Sequence, residues 1–595
     1  MPIILIIILF ISPCALADEP FLLDKIIVTP HEDFFSNESM GDKIIETGGF
    51  NSPVDLFRKF SGLDLRYRGT YGIQGDLSIR GSTYEQVAVL IDGLNIMDPQ
   101  TGHHNLDIPL TIFDIDSIAV FKEGVSSLYG AGALGGAINI RTKKPTEKIL
   151  NLEATFGGHA LFSQAFSYSM PNKDLSSRIS LEHNISSGAR PNTDFEYGTS
   201  TFYLTKDFDQ AEGDFLFGYQ KKNFGADSFY SNLFPEEEEH TETVFIKTGL
   251  NTNSNNSTFK NNLYLRRHRD RFILRRNNPT SINHHLSYIY GFNSQMNLTA
   301  KHADLLLGLD AGQDKIRSTN LGKHERFHNA VSFGVSSKNS EKFFVEFRLR
   351  PEYYEDFSWQ FPYNLGLGYY LISNTLRLKG ALSEAYRVPS FTDLYYFDAA
   401  NKGNPGLGVE KSDNFRLGLD FNKDILFLSL EGFLRKGRNL IDWTRTSPSD
   451  PWQATNLGRV DFTGAEFTAK LRPRLIILGQ RLNELSLSYT YTKADKKASG
   501  FFSKYALDIL KHQLIFDVDE DILGLDWNWQ LSYKERYYGE IYFVGDLAVS
   551  KKLIRKNLIV EPFIRIENFT NAQYSEIGGV SGPGRWLKAG IKLQW

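Results

Sequence analysis

Two short motifs in the chain have the spacing of catalytic sites. His324-Glu325-Arg326-Phe327-His328 fits H-E-x-x-H, in which a helix places two zinc-binding histidines on one face. Here the residues at 330–335 read as a strand, and we expect no zinc site. Gly130–Gly135 fits G-x-G-x-x-G, but it runs into a predicted strand at 137–140 and opens no helix. The sequence has no G-x-S-x-G motif and no P-loop, so the chain is predicted not to be an enzyme.

Two glycine-rich segments, 67–75 and 98–107, carry side chains that could bind a ligand. Aromatic, amide and imidazole groups suit a bulky, partly polar molecule. The alternative is tight-turn structure with incidental polarity. The candidate ligand-binding residues are Tyr67, Arg68, Tyr71, Gln74, Gln100, His103, His104 and Asn105.

A run of four acids could bind a cation. Glu236, Glu237, Glu238 and Glu239 are consecutive, and carboxylate oxygens are the ligands that Ca²⁺ takes. A solvated acidic loop is the preferred interpretation, and calcium binding in an extracellular loop is the alternative. No other metal and no organic cofactor is predicted.

Composition limits the class of protein. The 66 basic and 70 acidic residues give a net charge of −4, which argues against nucleic-acid binding. After residue 17 no run approaches the roughly 20 apolar residues of a transmembrane helix. The 45 Phe, 28 Tyr and 49 Gly among 595 residues are typical of a large β protein.

The first residues predict export. Residues 1–10 are almost wholly apolar, and Ala15-Leu16-Ala17 is a small-x-small cleavage site, which together indicate a signal peptide at 1–17. A lipoprotein site at Cys14 is the alternative. Cleavage after Ala17 would leave a mature chain without cysteine, which suits passage through an oxidising compartment.

The elements that must position these residues fall into two regions. Up to about residue 144, short apolar runs and turn signals predict a small α/β domain. From 145 the pattern alternates with period 2, as in 525–533, where Leu, Trp and Tyr oppose Asp, Asn, Gln and Ser. A soluble sandwich is the alternative, but aromatic-rich apolar faces opposite charged ones match lipid-facing and lumen-facing sides.

Size and the last strand favour a closed barrel. At roughly 20 residues per strand with its connection, the C-terminal region holds about 22 strands. A barrel that wide cannot fill its lumen with its own side chains, and the N-terminal domain has the size of a plug. The final strand, 587–595, alternates and stops on Trp595. The predicted fold is thus an all-β membrane protein: an antiparallel transmembrane β-barrel of about 22 strands with an N-terminal α/β plug domain in its lumen.

Several motifs make the resemblance to a known family specific. The chain resembles the TonB-dependent outer-membrane receptors, and its short length resembles the vitamin B12 (cobalamin) receptor-like branch. The matching segments are Asp76–Gly81 (D-x-x-I-R-G), Val89–Gly93 (V-x-x-D-G), Ile118–Lys143, Tyr386–Ser390 (F-R-x-P) and Asn568–Asn571 with Tyr574.

The resemblance implies four regions and an outer-membrane location in a Gram-negative cell. They are a signal peptide (1–17), a TonB-box segment (18–34), a plug (35–144) and a barrel (145–595). In the second region Lys25, Ile26, Ile27, Val28 and Thr29 resemble the TonB box, which would pair with a partner's sheet edge by β-augmentation. An ordinary first strand of the plug is the alternative. Because the box must face the periplasm, segments 67–75 and 98–107 should face outward.

The resemblance also implies how the plug is held. Plug arginines of this family pair with barrel glutamates, so Arg80 is expected to pair with Glu466, or with Glu384 as the second candidate. Lys122 is a second plug cation. The alternative is that Arg80 binds only carbonyl groups of the plug.

Partners and cargo follow from the same family. The partners are TonB with its inner-membrane ExbB/ExbD motor, outer-membrane lipid and lipopolysaccharide, and the barrel-assembly machinery that reads Trp595; the chain is expected to be a monomer. The implied activity is energy-coupled import of a scarce, large nutrient chelate. Cobalamin or a related corrinoid is preferred, a ferric siderophore is second and haem third. A passive porin or adhesin barrel is the alternative from another class.

Overall fold

A computed structural model describes most of the chain. The described residues are 38–41, 50–230, 233–338, 342–473, 476–477, 480–496, 500–504, 508–537, 539–577 and 580–595. The predicted signal peptide (1–17) and TonB-box segment (18–34) lie outside them. In the described ranges, no helix combines the length and apolar character needed to cross a membrane.

The N-terminal region forms a plug domain around a five-stranded sheet with the order β1-β6-β7-β4-β5. Strand β4 reads Val-Ala-Val-Leu-Ile and is buried on both faces, as expected for a strand that pairs in parallel with β7 inside a protein. Strands β2 and β3 form a separate hairpin. The strands are β1 Glu38–Gly41, β2 Leu63–Gly69, β3 Gln74–Ile79, β4 Val87–Ile91, β5 Leu94–Asn95, β6 Ile115–Phe121 and β7 Gly136–Thr142. The helical segments are α1 Ser126–Tyr129 and 3₁₀ turns at Pro53–Lys59, Tyr84–Gln86, Gly102–His104 and Ile112–Asp114.

The rest of the chain closes into a 22-strand antiparallel barrel, which confirms the predicted fold. The last strand, β37, pairs with both β34 and the first barrel strand, β8, so no edge is left open to lipid. A short helix, α2 Phe391–Tyr395, lies in one loop. The strand segments are β8 Ile149–Gly157, β9 Leu161–Met170, β10 Ser176–Ser186, β11 Phe195–Phe208, β12 Ala211–Gly225, β13 Glu238–Ser254, β14 Ser257–Ile273, β15 Ile282–Thr299, β16 Ala303–Ser318, β17 Gly322–Ser337, β18 Phe343–Leu349, β19 Glu352–Tyr354, β20 Ser358–Gln360, β21 Tyr363–Ile372, β22 Leu376–Arg387, β23 Asn401–Lys402, β24 Glu410–Lys423, β25 Leu426–Arg445, β26 Trp452–Leu471, β27 Ile476–Ile477, β28 Gln480–Lys496, β29 Phe502–Ser503, β30 Leu510–Ile522, β31 Leu525–Arg536, β32 Ile541–Ser550, β33 Leu553–Arg555, β34 Leu558–Glu567, β35 Ser575–Ile577, β36 Val580–Ser581 and β37 Trp586–Gln594.

The barrel wall has an apolar outer face and a polar inner face. In β24, Phe415 and Leu417 are 42% and 63% exposed, whereas Arg416 between them is 5% exposed. In β37, Leu587 points outward at 57% exposed, while Lys588 is fully buried. Successive side chains of a strand point to opposite faces, so the alternation read from the sequence separates a lipid-facing surface from a lumen packed against the plug.

Connection lengths orient the barrel. The chain passes from β7 of the plug into β8, and at that end of the barrel neighbouring strands are joined by turns as short as 209–210 and 255–256. The opposite end carries the long connections, among them 226–237, 388–409 and 568–585. Short periplasmic turns and long extracellular loops are typical of outer-membrane barrels, and they identify the second end as extracellular.

Candidate functional site

The plug is joined to the barrel wall by a buried ionic cluster around Arg80. This residue follows β3 directly, and its guanidinium donates Nε to Glu466 Oε1 at 2.9 Å and Nη2 to Glu466 Oε2 at 2.8 Å. The same Nη2 also donates to Glu431. The side chains of Arg80, Glu431 and Glu466 are 1%, 5% and 8% exposed. Bidentate geometry and burial together make this a strong contact between the two domains.

The barrel strands explain why a cation is required there. Glu431 in β25 and Glu466 in β26 are register partners, so two carboxylates stand opposite each other on the inner face of the wall. Like charges in directly opposed positions are destabilising, and a buried unpaired carboxylate costs several kcal/mol. Two cations of the wall, Arg416 Nη1 and Lys379 Nζ, each lie 3.5 Å from Glu431 Oε2. Arg80 adds the cation that contacts both carboxylates, and it does so only while the plug is in the lumen.

Lys122 extends the cluster toward the N-terminus. It follows β6, and its Nζ donates to Glu38 Oε1 at 2.7 Å, Ser61 Oγ at 2.8 Å and Glu466 Oε2 at 3.1 Å. Glu38 belongs to β1, which pairs with β6. One carboxylate of the wall, Glu466, therefore contacts two plug cations, and one of them contacts the first described strand. We call Arg80, Lys122, Glu431 and Glu466 the Arg80 cluster.

Glu384, the second expected partner of Arg80, lies elsewhere. Its carboxylate is 3.9 Å from Lys411 Nζ and 3.7 Å from Arg438 Nη2, both on neighbouring barrel strands. The expectation of a plug contact was wrong for this residue, because nearer barrel cations satisfy it. Glu431 was missed, although the alternation in β25 places it on the polar inner face with Ser429 and Arg435.

The expected open floor for a ligand is closed in this structure. Seven of the eight candidate residues are 9% exposed or less, and Tyr67 is half-buried. Two residues of the connection after β12 contact them: Phe229 accepts a hydrogen bond from Arg68 through its carbonyl oxygen, and Gln74 Nε2 donates to Tyr230 Oη at 2.7 Å. The segments do face the extracellular loops, but their side chains are engaged within the protein.

The remaining candidates have structural contacts. Tyr67 Oη donates to Asp55 Oδ1 at 2.5 Å, and the Tyr71 ring packs 5.7 Å from Trp586. Asn105 Oδ1 accepts from the Asp98 backbone N–H at 2.9 Å. Gln100 and His104 both contact the barrel wall. Gln100 Nε2 donates to Asp270 Oδ2 at 3.1 Å, and His104 lies among Asp107, Glu239, His268 and Asp270. In this conformation several of these residues therefore make contacts within the protein, as the tight-turn alternative expects, and do not face an open site.

His103 and Asp76 form a buried pair in which the histidine is neutral. His103 Nδ1 lies 2.7 Å from Asp76 Oδ1, and Arg68 Nη2 is 3.0 Å from Asp76 Oδ2. Burial lowers the pKa of His103 to about 4, and Arg68 acts in the same direction against the attraction of Asp76. Because Arg68 already balances the carboxylate, neutral His103 donates its Nδ1–H to Asp76.

The four consecutive glutamates do not form one oxygen cluster. Glu236 lies in a turn and is exposed to solvent, β13 begins at Glu238, and Glu237 and Glu239 are 1% exposed. Glu236 accepts from Asn277 Nδ2 at 3.2 Å, and Glu238 lies 3.4 Å from Arg276 Nε. This spread of the four carboxylates gives no support to the calcium alternative.

The H-E-x-x-H motif lies in strand β17, as its sequence context predicts. His324 stacks on Tyr395 with ring centroids 3.6 Å apart, and His328 stacks on Tyr354 at 4.9 Å. The two histidines are separated along a strand and pack on different aromatic rings, so they do not share a zinc ion.

The lumen also contains a small cavity beside the plug. It has a volume of about 130 Å³ and lies between plug residues such as Phe50 and Ile112 and the wall formed by β8, β34 and β37. Glu153, Arg565 and Lys592 are among the lining residues. Asn151 and Gln594 also line it, and they stand at the periplasmic ends of their strands.

A closed barrel whose lumen is filled by its own N-terminal domain defines a plugged receptor of the outer membrane. The family model for the TonB-dependent receptor-like β-barrel matches residues 147–557, and the model for the TonB-dependent receptor plug domain matches residues 35–137. The chain therefore belongs to the TonB-dependent receptor family, which consists of receptors and transporters of the outer membrane and not of enzymes.

Relatives and solved structures resemble most of the chain. The vitamin B12 transporter BtuB of Vibrio vulnificus is 22% identical over 455 residues, covering 71% of both chains. The vitamin B12 transporter BtuB of Photobacterium profundum is 22% identical over 527 residues, covering 85% of this chain and 82% of its own. The crystal structure of the siderophore receptor PirA from Acinetobacter baumannii is similar with a TM-score of 0.77 at 16% identity, covering 94% and 98% of the two chains.

Replacing Glu466 by Gln should weaken the hold on the plug. The change keeps the shape of the side chain but removes one charge from a buried pair, and Arg80 retains Glu431 as a partner. We expect the opening free energy of the plug to fall by about 3 kcal/mol, the lower end of the cost of breaking such a pair. Hydrogen exchange of the amides in β3 and β4 measures this directly. Glu384→Gln is the matched control and should cost less than about 1 kcal/mol; equal losses in both variants would contradict the assignment.

The pH dependence of plug stability should report His103. Its pKa in the folded protein, about 4, lies below the ordinary value of 6.5, so between these values the unfolded chain binds more protons. Stability contributed by His103 is therefore full above pH 6.5 and is lost as the pH falls toward 4, by at most about 3 kcal/mol. Hydrogen exchange of the plug across this range checks the slope. His103→Gln should flatten it, and an unchanged slope in that variant would refute the attribution.

Proposed function

We propose that this protein imports a scarce, large nutrient chelate by TonB-dependent opening of its plug, with cobalamin or a related corrinoid as the cargo. The observation that carries the proposal is the Arg80 cluster, which joins plug and wall by buried ion pairs. Breaking such pairs without replacement costs several kcal/mol, so the plug will not move aside at an appreciable rate unless work is done on it.

Other buried ion pairs between the two domains add to this cost. Asp92 of the plug is 2.8 Å from Lys247 Nζ, and Asp98 is 2.5 Å from Arg266 Nη1. Near the periplasmic end, Asp114 Oδ1 accepts from Arg178 Nε at 3.0 Å. These contacts surround the plug on several sides of the lumen. A passive porin would have an open path, so the filled lumen argues against that alternative.

The N-terminal segment is the proposed point of attachment for the motor. Region 18–34, with the TonB box at Lys25–Thr29, is followed in the chain by β1, and Glu38 of β1 contacts Lys122 of the Arg80 cluster. A pull on this segment would act first on β1 and then on the contact between Lys122 and Glu466. We propose that the plug (35–144) is the part that moves and that the barrel (145–595) is the part that stays fixed.

The cargo is proposed from the relatives, since the candidate floor residues are buried here. Two relatives that match over most of the chain are vitamin B12 transporters. The siderophore receptor resembles this protein in fold only, at 16% identity, and a ferric siderophore is the second candidate. On either cargo, the connection after β12 must move to expose Arg68, Gln74 and His103 to a ligand.

Val28→Pro should abolish uptake and leave cargo binding at the cell surface intact. Proline removes a backbone N–H donor from the segment that would pair with the partner's sheet edge. Accumulation of radiolabelled cargo in energised cells, compared with binding at low temperature, separates the two steps. Val28→Ile keeps the extended, β-branched character and should transport normally. Uptake that persists in Val28→Pro would favour a passive barrel.

A deletion strain should distinguish the cargoes. We expect loss of growth when vitamin B12 is limiting and normal growth when iron is limiting, with rescue by the intact gene. Uptake of radiolabelled cyanocobalamin should fall to the level of passive leakage in the deletion strain. The reverse pattern, growth failure under iron limitation alone, would assign a ferric siderophore instead.

A further inference from the structure

A second buried cluster joins plug and barrel near the extracellular side. We call it the seam cluster, and it consists of His104, Asp107, Glu239, His268 and Asp270. His104 and Asp107 belong to the plug, and the other three belong to barrel strands β13 and β14. All five residues are 5% exposed or less. Among the described residues, the two groups whose ligand atoms lie close enough to share a metal ion both belong to this cluster.

Local structure brings these side chains together. The 3₁₀ turn Gly102–His104 continues into a bond from the Asp107 backbone N–H to the His104 carbonyl oxygen, 3.2 Å long, so residues i and i+3 face the same side. On the barrel, His268 and Asp270 are two residues apart in β14 and therefore share its inner face. Glu239 lies on the neighbouring strand, β13, two residues from Thr241, which is the register partner of Asp270, so it faces the same side of the wall.

The separations within the cluster are those of metal ligands. His104 Nδ1 and His268 Nε2 lie 3.4 and 3.6 Å from Asp107 Oδ2. Good hydrogen bonds between nitrogen and oxygen are shorter, about 2.7–3.2 Å. Two ligands bound tetrahedrally to zinc at about 2.0–2.1 Å stand roughly 3.4 Å apart. Both nitrogen–oxygen separations are therefore long for hydrogen bonds. The three ligand atoms all lie within 4.8 Å of one another, close enough to surround a shared ion.

Unsatisfied atoms point to a missing ligand. Asp107 Oδ2 and His268 Nε2 make no hydrogen bond although both are buried, and Glu239 Oε1 is in the same state. Leaving a buried polar atom without a partner costs about 1–3 kcal/mol, more when it is charged. Three such atoms at one place in the protein are unusual. A cation between them would remove the cost.

The far sides of the same side chains are held in place. Thr243 Oγ1 lies 2.9 Å from His268 Nδ1, and Lys222 Nζ donates to Asp107 Oδ1 at 2.7 Å. His104 Nε2 faces Asp270 Oδ2 at 3.5 Å and Glu239 Oε1 at 3.7 Å. Histidines that bind a metal usually direct the other ring nitrogen to a carboxylate, a carbonyl group or water, and such outer contacts fix the ring.

Charge within the cluster also favours a divalent ion. Asp107, Glu239 and Asp270 supply three carboxylates, and Lys222 is the one Lys or Arg side chain that the described contacts place against them. The cluster therefore holds more carboxylates than Lys or Arg side chains, and a bound cation would offset this excess of negative charge. Two imidazole nitrogens and one carboxylate select zinc or another transition ion over Ca²⁺ and Mg²⁺, which take oxygen ligands.

We propose that His104 Nδ1, His268 Nε2 and Asp107 Oδ2 bind a divalent transition-metal ion, with Zn²⁺ as the simplest case. The ion would join plug and barrel at a point separate from the Arg80 cluster. Asp270 and Glu239 would orient His104 through its other nitrogen, and Thr243 would orient His268. The site is a resident clamp on the closed plug and does not depend on the identity of the cargo.

The test is metal binding by the purified mature chain in detergent. After removal of metal with a chelator and equilibration with limiting zinc, elemental analysis should give about one zinc per chain. His268→Gln should weaken binding by more than about 100-fold, and Thr243→Val by about 10–100-fold, the usual cost of losing an outer contact. His285→Gln is the matched control, because His285 is a buried histidine of the same region outside the ligand set, and it should bind normally.

Folding and the role of the ion are checked separately. Each variant must keep the heat-modifiable gel migration of a closed barrel, and Co²⁺ should give the visible absorption of a tetrahedral site in the wild type but not in His268→Gln. Wild-type protein that binds no zinc, or a His268→Gln variant that binds it equally well, would overturn the site. TonB-dependent uptake of radioactive zinc into cells would overturn the clamp and make the ion a cargo.

Discussion

The contact between plug and barrel depends on two carboxylates that face each other across a pair of barrel strands. Glu431 and Glu466 are register partners on the inner wall, and both are buried. Arg416 and Lys379 of the wall lie beside Glu431, while Arg80 of the plug contacts both carboxylates and Lys122 contacts Glu466. The charge that holds the plug is therefore built into the wall. Withdrawing the plug would remove both cations that contact Glu466, which gives the closed arrangement an electrostatic advantage.

The Arg80 and seam clusters act at different heights of the lumen. The Arg80 cluster lies deep in the barrel and is continuous with β1, the first described strand. The seam cluster lies near the extracellular loops, beside the residues that the connection after β12 contacts. This separation suits a transporter in which cargo acts from outside and the motor acts from the periplasm. The cavity along β8, β34 and β37 lies on the periplasmic half of the lumen.

The sequence allowed the fold to be predicted almost completely, because strands that separate lipid from a polar lumen must alternate with period 2. The plug motif also led correctly to contact between Arg80 and Glu466. The sequence does not show which residues of separate strands come to lie opposite each other. For this reason Glu431 was missed and Glu384 was placed wrongly. His103 is covered by Tyr230 of the connection after β12, and His104 by side chains of β13 and β14, contacts between distant segments that no local pattern encodes. For the same reason the seam cluster, whose members come from three separate segments, could not be assembled from the sequence.

The lumen of the barrel is filled by the chain's own N-terminal domain, which buried ion pairs hold in place. Electrical conductance of the purified mature chain in a planar lipid bilayer tests this most directly. We expect no measurable conductance under native conditions. When urea loosens the plug, large and reversible channel openings should appear. Steady conductance of the untreated protein at the level of an open barrel would contradict it.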